Sequence, residues 1–235
     1  MRARGSDFIS GLKITGNTTY VGGPADNSRV NNAINDPDID IEVGGSASSN
    51  FSLSGYSYHG LGSSVRLAGT GLRDVYIGDL EQRNVGRSQT VGEYCVLDVD
   101  APNATVSVGR LASANPNRVA GTTLIGVKVS SARAVSIGSL DLDGFDTGLK
   151  ATETTPGTLI KRIDVGKASM VGVVTPIDTN LTSRQLRVSD LITDATGVTK
   201  RGRMNFSATN NSSFSVTTTL SEMLTATTRH DFGND

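Results

Sequence analysis

One short pattern of apolar and polar positions returns seven times along the chain. Each copy has an aliphatic residue, any residue, a second aliphatic residue and then a small residue. The copies are Leu12–Thr15, Ile41–Gly44, Val75–Gly78, Val106–Gly109, Val135–Gly138, Ile163–Gly166 and Leu186–Ser189. Repetition of one strand-like unit every few tens of residues is typical of a solenoid, in which each repeat packs against its neighbours.

The alternation within each copy predicts a β-strand with one buried face. Val135 and Ile137 are apolar, Ser136 between them is polar, and Leu140 continues the apolar series beyond Gly138. Alternate residues of a strand point to the same side. A strand this short cannot bury its apolar side alone, so we expect the copies to stack in parallel around a column of Val, Ile and Leu.

Two further strands are predicted in each repeat. One of them is predicted by the pairs Val65/Leu67, Leu97/Val99 and Val127/Val129, which precede the motif by roughly ten residues, and the other by the segment 140–142. Gly, Asn, Asp and Pro residues between these segments favour tight turns. The small residue after the motif suits a corner at which a Cβ atom would crowd the next repeat.

These patterns predict an all-β fold, a right-handed parallel β-helix with a C-terminal β cap or oligomerisation segment. The handedness follows from the crossover preference of parallel strands. A β-sandwich also accommodates short strands and frequent turns, but it does not predict that the same strand motif recurs at the same position in each repeat. We expect a leader over residues 1–7, the β-helix over 8–199, and the cap over 200–235, where the repeat is lost.

Composition narrows the functional classes. The net charge is −1, so no overall positive field favours nucleic acid or an anionic membrane surface. No apolar stretch is long enough to predict membrane insertion. Cys95 is the single cysteine and lies beside Val96 and Leu97, which predicts a buried thiol that packs as a small apolar group. No motif predicts a metal site or a cofactor.

The repeats resemble those of bacteriophage tailspike and tail-fibre proteins. The segment 134–149 carries the resemblance most clearly, with its strand, its turn and the Gly144-Phe145-x-x-Gly148-Leu149 return. Pectate-lyase-like enzymes, epimerases and autotransporter adhesins use similar rungs. The tailspike resemblance implies a homotrimer, contact with other virion proteins and a surface that binds or cleaves host polysaccharide.

The acidic side chains supply the candidate catalytic residues. Glycan hydrolysis needs two carboxyl groups about 5–10 Å apart. Asp98 and Asp100 alternate on one predicted strand, Asp141 and Asp143 lie close together with Asp146, and a further acidic cluster covers residues 36–42. Alternating acids are also the ordinary polar outer side of an amphipathic strand, and that interpretation is preferred for every cluster.

Candidate ligand-binding residues are Tyr56, Tyr58 and His59, which we expect in a glycine-flanked loop. Tyrosine can stack on a sugar ring or a partner side chain, and loops on a rigid scaffold often carry function. An ordinary surface turn explains the same residues. The chain has no Trp and only 5% aromatic residues, which argues against a long glycan-binding cleft.

We therefore expect a non-catalytic virion protein, a tail spike or fibre module that presents a β-helix for host attachment or particle assembly. The alternative is a polysaccharide depolymerase, a hydrolase or lyase acting on capsule or O-antigen. The expected location is the virion, with a secreted or cell-surface bacterial protein as the alternative.

Overall fold

The computed structural model describes residues 2–5, 12–14, 18–21, 39–43, 49–53, 56–59, 65–83, 93–114, 121–153, 158–181, 185–194, 199–205 and 214–215. Within these ranges all regular structure is β and no helix occurs. The strands are β1 (Arg2–Gly5), β2 (Leu12–Ile14), β3 (Thr18–Val21), β4 (Ile39–Val43), β5 (Ser49–Leu53), β6 (Tyr56–His59), β7 (Val65–Ala68), β8 (Leu72–Arg83), β9 (Glu93–Ala114), β10 (Thr123–Asp143), β11 (Thr147–Ala151), β12 (Ile163–Val171), β13 (Thr175–Thr179), β14 (Leu186–Asp194), β15 (Thr199–Asn205) and β16 (Phe214–Ser215).

The parallel strands stack in three columns, which we call faces 1, 2 and 3 in chain order. A row on face 1 passes through Arg2, Asp40, Arg66, Asp98, Lys128, Lys150 and Asp178. A row on face 2 passes through Lys13, Ser52, Tyr76, Ser107, Ser136, Asp164 and Arg187. A row on face 3 passes through Thr18, Tyr56, Leu80, Leu111, Leu140, Ala168 and Leu191. The predicted parallel β-solenoid, with three strands in each turn, is confirmed.

The core is the apolar column that the repeated motif predicts. Val106 and Val135 are register partners in adjacent parallel strands, and they are 0% and 1% exposed. The other motif aliphatics tested are Val75, Ile77, Val108, Ile137, Ile163 and Val165, and all are buried. Burying a side chain of this size stabilises a fold by about 1.5–3 kcal/mol. The core forms because each turn places its aliphatic residues directly in register with those of the turn before.

Glycine forms the corner between faces 2 and 3. A Cβ atom at Gly109 would lie 2.5 Å from the carbonyl oxygen of Gly78, and one at Gly138 would lie 2.5 Å from that of Gly109. The next turn repeats the contact, with 2.6 Å from Gly166 to Gly138. The backbones approach too closely for any side chain, so the small residue of the motif is a packing requirement, as the sequence predicts.

The two ends of the stack differ from the sequence expectation in detail. Residues 2–5 lie within the expected leader, but they form β1 and pair in parallel with β4. The alternation Arg2-Ala3-Arg4 fits a strand, and Ala3 is the register partner of Ile41. At the other end β15 and β16 run antiparallel to β14 and β13. Most of the expected cap over 200–235 lies outside the described residues, so its role stays a prediction.

Candidate functional site

The four acids considered for catalysis lie on two different faces of the solenoid. Asp98 and Asp100 belong to the face 1 part of β9, whereas Asp141 and Asp143 belong to the face 3 part of β10. Both strands continue across all three faces, which separates the two pairs. Each acid therefore has one acidic neighbour two positions along its own strand, and the four do not form one cluster.

Asp98 lies between two cations. Arg66 and Lys128 are its register partners on the neighbouring strands, which in a sheet are about 4.8 Å away. Burial raises the pKa of the Asp98 carboxyl above its ordinary value of 3.8, and Lys128 and Arg66 oppose the rise without cancelling it. A general acid must carry a proton at the working pH, and a raised pKa favours the protonated form, so the electrostatics of Asp98 suit that role.

Glu93, which precedes Asp98 on β9, binds two lysines of the face 1 row. Lys128 and Lys150 are register partners of the same charge, and the Glu93 carboxylate accepts a hydrogen bond from each of them, at 3.3 Å from Lys150 Nζ. Burial raises the pKa of Glu93, but the hydrogen bonds and charges of the two lysines outweigh burial and lower it below its ordinary value of 4.5. Glu93 thus relieves the repulsion between the lysines, and the row is a balanced charge network.

Asp100 is engaged in cross-strand hydrogen bonding. Its Oδ1 accepts a hydrogen bond of 2.7 Å from Ser131 Oγ on β10. Its main-chain oxygen accepts a hydrogen bond of 3.0 Å from the amide of Gly69, which has a φ of 98°. Asp100 therefore joins three consecutive turns of the solenoid and has a structural role in addition to any chemical one.

The face 3 acids are also engaged. Asp141 Oδ2 lies 4.0 Å from Arg110 Nε, in an ion pair whose side chains are about half exposed. Asp143 packs against the following turn, because a Cβ atom at Gly172 would lie 2.9 Å from its Oδ1. The neighbouring Asp146 accepts a hydrogen bond of 2.8 Å from the amide of Leu124. The ion pair connects successive turns on face 3, and the contacts of Asp143 and Asp146 connect them at the corner between faces 3 and 1.

The segment with Tyr56, Tyr58 and His59 is a strand, which corrects the expectation of a loop. Residues 56–59 form β6, and it pairs in parallel with β3 and with residues 80–83 of β8. The polar sequence between glycines is typical of a turn, but the segment is extended and stacks between neighbouring strands of face 3. Their side chains lie outside the described part of the structure, so their binding role stays a prediction.

Sequence reasoning missed the buried carboxylate of Glu153. Its side chain accepts hydrogen bonds from the amides of Thr158, at 3.2 Å, Leu159, at 2.9 Å, and Ile160. Asn180 Nδ2 donates a hydrogen bond of 2.6 Å to the Glu153 main-chain oxygen. These contacts fix the connection from face 1 to face 2 before β12. The Thr-rich surroundings of Glu153 look like an exposed loop, so no signal in the sequence points to this residue.

A second missed feature is the outer surface of face 2, which we call the Ser/Gly face. On four of its adjacent strands the outward positions are Asp74, Tyr76, Gly78; Thr105, Ser107, Gly109; Ala134, Ser136, Gly138; and Arg162, Asp164, Gly166. The face continues on either side through Ser52 of β5 and Arg187 of β14. Tyr76 is 54% exposed. Small neutral residues occupy the middle two strands, and charged or aromatic side chains occupy the outer two.

The chemistry available to these groups is limited. Two carboxyls on alternate positions of one strand are separated by about 6.6 Å of backbone, which is within the range of a glycosidase pair. Among the described residues no group of three or more His, Cys, Asp or Glu side chains could hold a metal ion. Burial strongly raises the pKa of the Cys95 thiol, which opposes nucleophilic use.

Comparison of the chain with protein-family models, curated proteins and solved structures gave no match. In the part of the chain that the structure describes, no helix has the length and apolarity needed to cross a bilayer. The fold and the contacts above therefore carry the functional argument.

Proposed function

We propose that this chain is a non-catalytic virion module of the tail spike or tail fibre type. It presents a rigid parallel β-solenoid whose outer faces bind a host surface or other particle proteins. The resemblance of segment 134–149 to such proteins supports the class. The non-catalytic character is supported by one observation above all, namely that the candidate acids are used to connect turns.

That observation has a physical reading. Asp100 is bound by Ser131, Asp141 pairs with Arg110, and Asp143 packs on the turn at Gly172. A general acid or nucleophile must be free to approach the substrate and to change its protonation state. Carboxylates that hold adjacent turns together are less suited to that work than to building a stiff surface.

The test is incubation of the chain with capsular or O-antigen polysaccharide, followed by size analysis of the polymer. The proposal predicts intact polymer, together with binding to host cells or to purified virions. Depolymerisation that disappears in Asp98→Asn or Asp141→Asn would overturn it. Binding without cleavage that is lost in Tyr56→Ala or Tyr58→Ala, but retained in Tyr76→Ala, would place the contact on β6.

We also propose that the module works in the virion as a homotrimer and in contact with other virion proteins. The resemblance supports this assembly, as does the segment 200–235, in which the sequence repeat is lost. Light scattering at micromolar concentrations measures the number of copies, and a stable monomer there would count against it. Detection of the chain on bacterial cells without phage particles would favour a secreted or cell-surface protein instead.

A second candidate function is glycan depolymerisation, and one observation favours it. Burial raises the pKa of Asp98 while Asp100, two positions along the same strand, is exposed. Glycoside hydrolysis uses two neighbouring carboxyl groups, one of which has a raised pKa and acts as the general acid. This candidate predicts new reducing ends whose formation follows the protonation of one group and stops in both Asp98→Asn and Asp100→Asn. Activity that persists in both variants would exclude the pair.

A further inference from the structure

Exposed cations lie together where the chain passes from face 1 to face 2. Arg133 on β10 and Lys161 before β12 occupy the same position in consecutive turns, one residue after the parallel bridge between Ala132 and Ile160. Both side chains are exposed. Arg162 follows Lys161, and its side chain is 64% exposed. The corner between faces 1 and 2 thus presents cations from two adjacent turns.

The next turn adds a further cation. Arg187 on β14 is exposed and is the register partner of Asp164, which accepts hydrogen bonds from Arg162. Glu153 contributes a second carboxylate to this part of the stack, but it is buried and binds main-chain amides. We give the name basic corner to Arg133, Lys161, Arg162 and Arg187. Its four cations outnumber the two carboxylates, which creates a local positive charge on a chain whose net charge is −1.

The basic corner adjoins the uncharged middle of the Ser/Gly face. Thr105, Ser107 and Ser136 present exposed hydroxyl groups there, and the glycine row beside them has no side chains. Tyr76 lies in the same row as Ser107 and Ser136 and is 54% exposed. Hydroxyl groups both donate and accept hydrogen bonds, and a tyrosine ring offers an apolar side with a polar tip. Cations, hydroxyls and an exposed ring are therefore combined on one continuous surface.

We propose that the basic corner and the adjoining Ser/Gly face bind an acidic polysaccharide, a glycan whose sugars carry carboxylates. The proposal rests on the attachment function proposed above, and it names the class of glycan and the surface that binds it. A guanidinium group matches a carboxylate with two parallel hydrogen bonds. The Ser and Thr hydroxyls pair with sugar hydroxyls, and the Tyr76 ring stacks on a sugar.

The charge pattern favours a sparsely charged polymer. Register partners on neighbouring strands are about 4.8 Å apart, whereas duplex DNA carries one negative charge per about 1.7 Å of its axis. Asp74 is exposed beside Tyr76, at the far side of the uncharged strands from the basic corner. Asp74 would repel a densely charged chain, but a glycan can place neutral sugar rings there and its carboxylates at the basic corner.

The first test compares glycans by isothermal titration calorimetry. Polygalacturonate, with a carboxylate on each sugar, is expected to bind at least about tenfold more tightly than neutral dextran. Its affinity is expected to fall between about 50 and 200 mM salt, because exposed charges are screened. Equal affinity for the two glycans, or absence of polygalacturonate binding, would overturn the proposal. Duplex DNA that binds as tightly as polygalacturonate would overturn the assignment to a glycan.

Substitutions test the position of the surface. The double variant Arg133→Gln/Arg187→Gln is expected to weaken polygalacturonate binding at least about tenfold, because two guanidinium groups are lost. Lys167→Gln is the matched control, since Lys167 is an exposed cation on face 3 with Asp190 as its register partner. The control is expected to bind as the wild type does, and an equal loss in both would place the contact elsewhere. Tyr76→Ala is expected to weaken binding of polygalacturonate and to leave that of inorganic polyphosphate unchanged, because polyphosphate has no ring to stack. Exposed substitutions change stability little, so unchanged urea midpoints show that the variants are folded.

Binding to a panel of encapsulated bacterial cells separates this inference from the attachment function. Cells that bind the wild-type chain and not the double variant would support both. Cells that bind the two equally would leave the attachment function intact and refute the role of the basic corner. A wild-type chain that binds neither cells nor purified virions would overturn the attachment function, and the calorimetry alone would then decide the chemistry of the surface.

Discussion

Substitution of Gly138 by alanine tests the packing of the glycine corner. The added Cβ atom would lie 2.5 Å from the carbonyl oxygen of Gly109, whereas ordinary contacts begin at 3.4 Å. The backbone of one turn must therefore move by several tenths of an ångström. The obstacle is main chain on both sides, so no side chain can rotate away. Overpacking of this kind costs about 1–3 kcal/mol in free energy of unfolding.

The sign of this effect separates two explanations of the glycine. Replacing glycine by alanine where the backbone angles suit both residues stabilises a protein by about 0.4–1 kcal/mol, because the unfolded chain has less freedom to lose. Among the glycines that the structure describes, positive φ angles occur at Gly69, Gly121, Gly144 and Gly172 and not at Gly138. If conformation were the only factor, Gly138→Ala would stabilise the chain. Close approach of the backbones predicts the opposite sign.

The assay is urea unfolding followed by far-ultraviolet circular dichroism. With a slope of about 2 kcal/mol per molar urea, the expected loss lowers the unfolding midpoint by about 0.5–1.5 M. Ser136→Ala is the matched control, because Ser136 is exposed two positions earlier in the same strand and should change stability by less than about 0.5 kcal/mol. A Gly138→Ala midpoint at or above that of Ser136→Ala would refute the reasoning.

Four further predictions concern buried or paired ionisable groups. Glu153→Ala removes a buried acceptor from the amides of Thr158, Leu159 and Ile160 and should lower the unfolding free energy by about 1–3 kcal/mol, measured by the same urea titration. Glu93 has a lowered pKa, so its stabilising contribution is present above its ordinary pKa of 4.5 and is lost as the pH falls through the lower folded value. Wild-type stability should therefore fall more than that of Glu93→Gln below about pH 4.5, and parallel profiles would contradict this. Asp98 has a raised pKa, so its ionisation opposes folding at neutral pH, and Asp98→Asn should leave stability at pH 7 unchanged or increased. The Cys95 thiol, buried and with a raised pKa, should react with a thiol reagent only after unfolding, and fast reaction of the native chain would show that burial is wrong.

The core could be predicted from the sequence because it depends on a local pattern that is repeated. Val106, Val135 and Ile163 each have an alternating neighbour and a following glycine, and stacking identical patterns leaves one register that buries all of them. The glycine corner could be predicted as well, because the small residue occupies the same position in each copy of the motif. The parallel solenoid is thus a consequence of periodicity, which is visible in one sequence.

The candidate sites could not be predicted in the same way, because they depend on contacts between distant turns. Glu93 lies 35 residues from Lys128 and 57 from Lys150, and nothing local in the chain marks the three as neighbours. Glu153 acts on amides a few residues away, but its burial depends on the next turn, at Asn180. Tyr76 lies inside the repeated motif between Val75 and Ile77, at the outward position that other copies fill with a polar residue, so the pattern does not single it out.

The glycine corner also limits where the chain can change length. A single glycine joins faces 2 and 3 in the turns that contain β8, β9, β10 and β12. Insertion of one residue at this corner would exchange the inward and outward positions of the face 3 strand that follows it in that turn. The connections from face 3 to face 1 vary widely, from residues 144–146 and 172–174 to residues 84–92 and 115–122. A peptide graft or a duplicated loop can therefore enter at that corner without disturbing the stack. Within each turn, the corner between faces 2 and 3 fixes the stacking of the strands, and the corner between faces 3 and 1 accommodates differences in length.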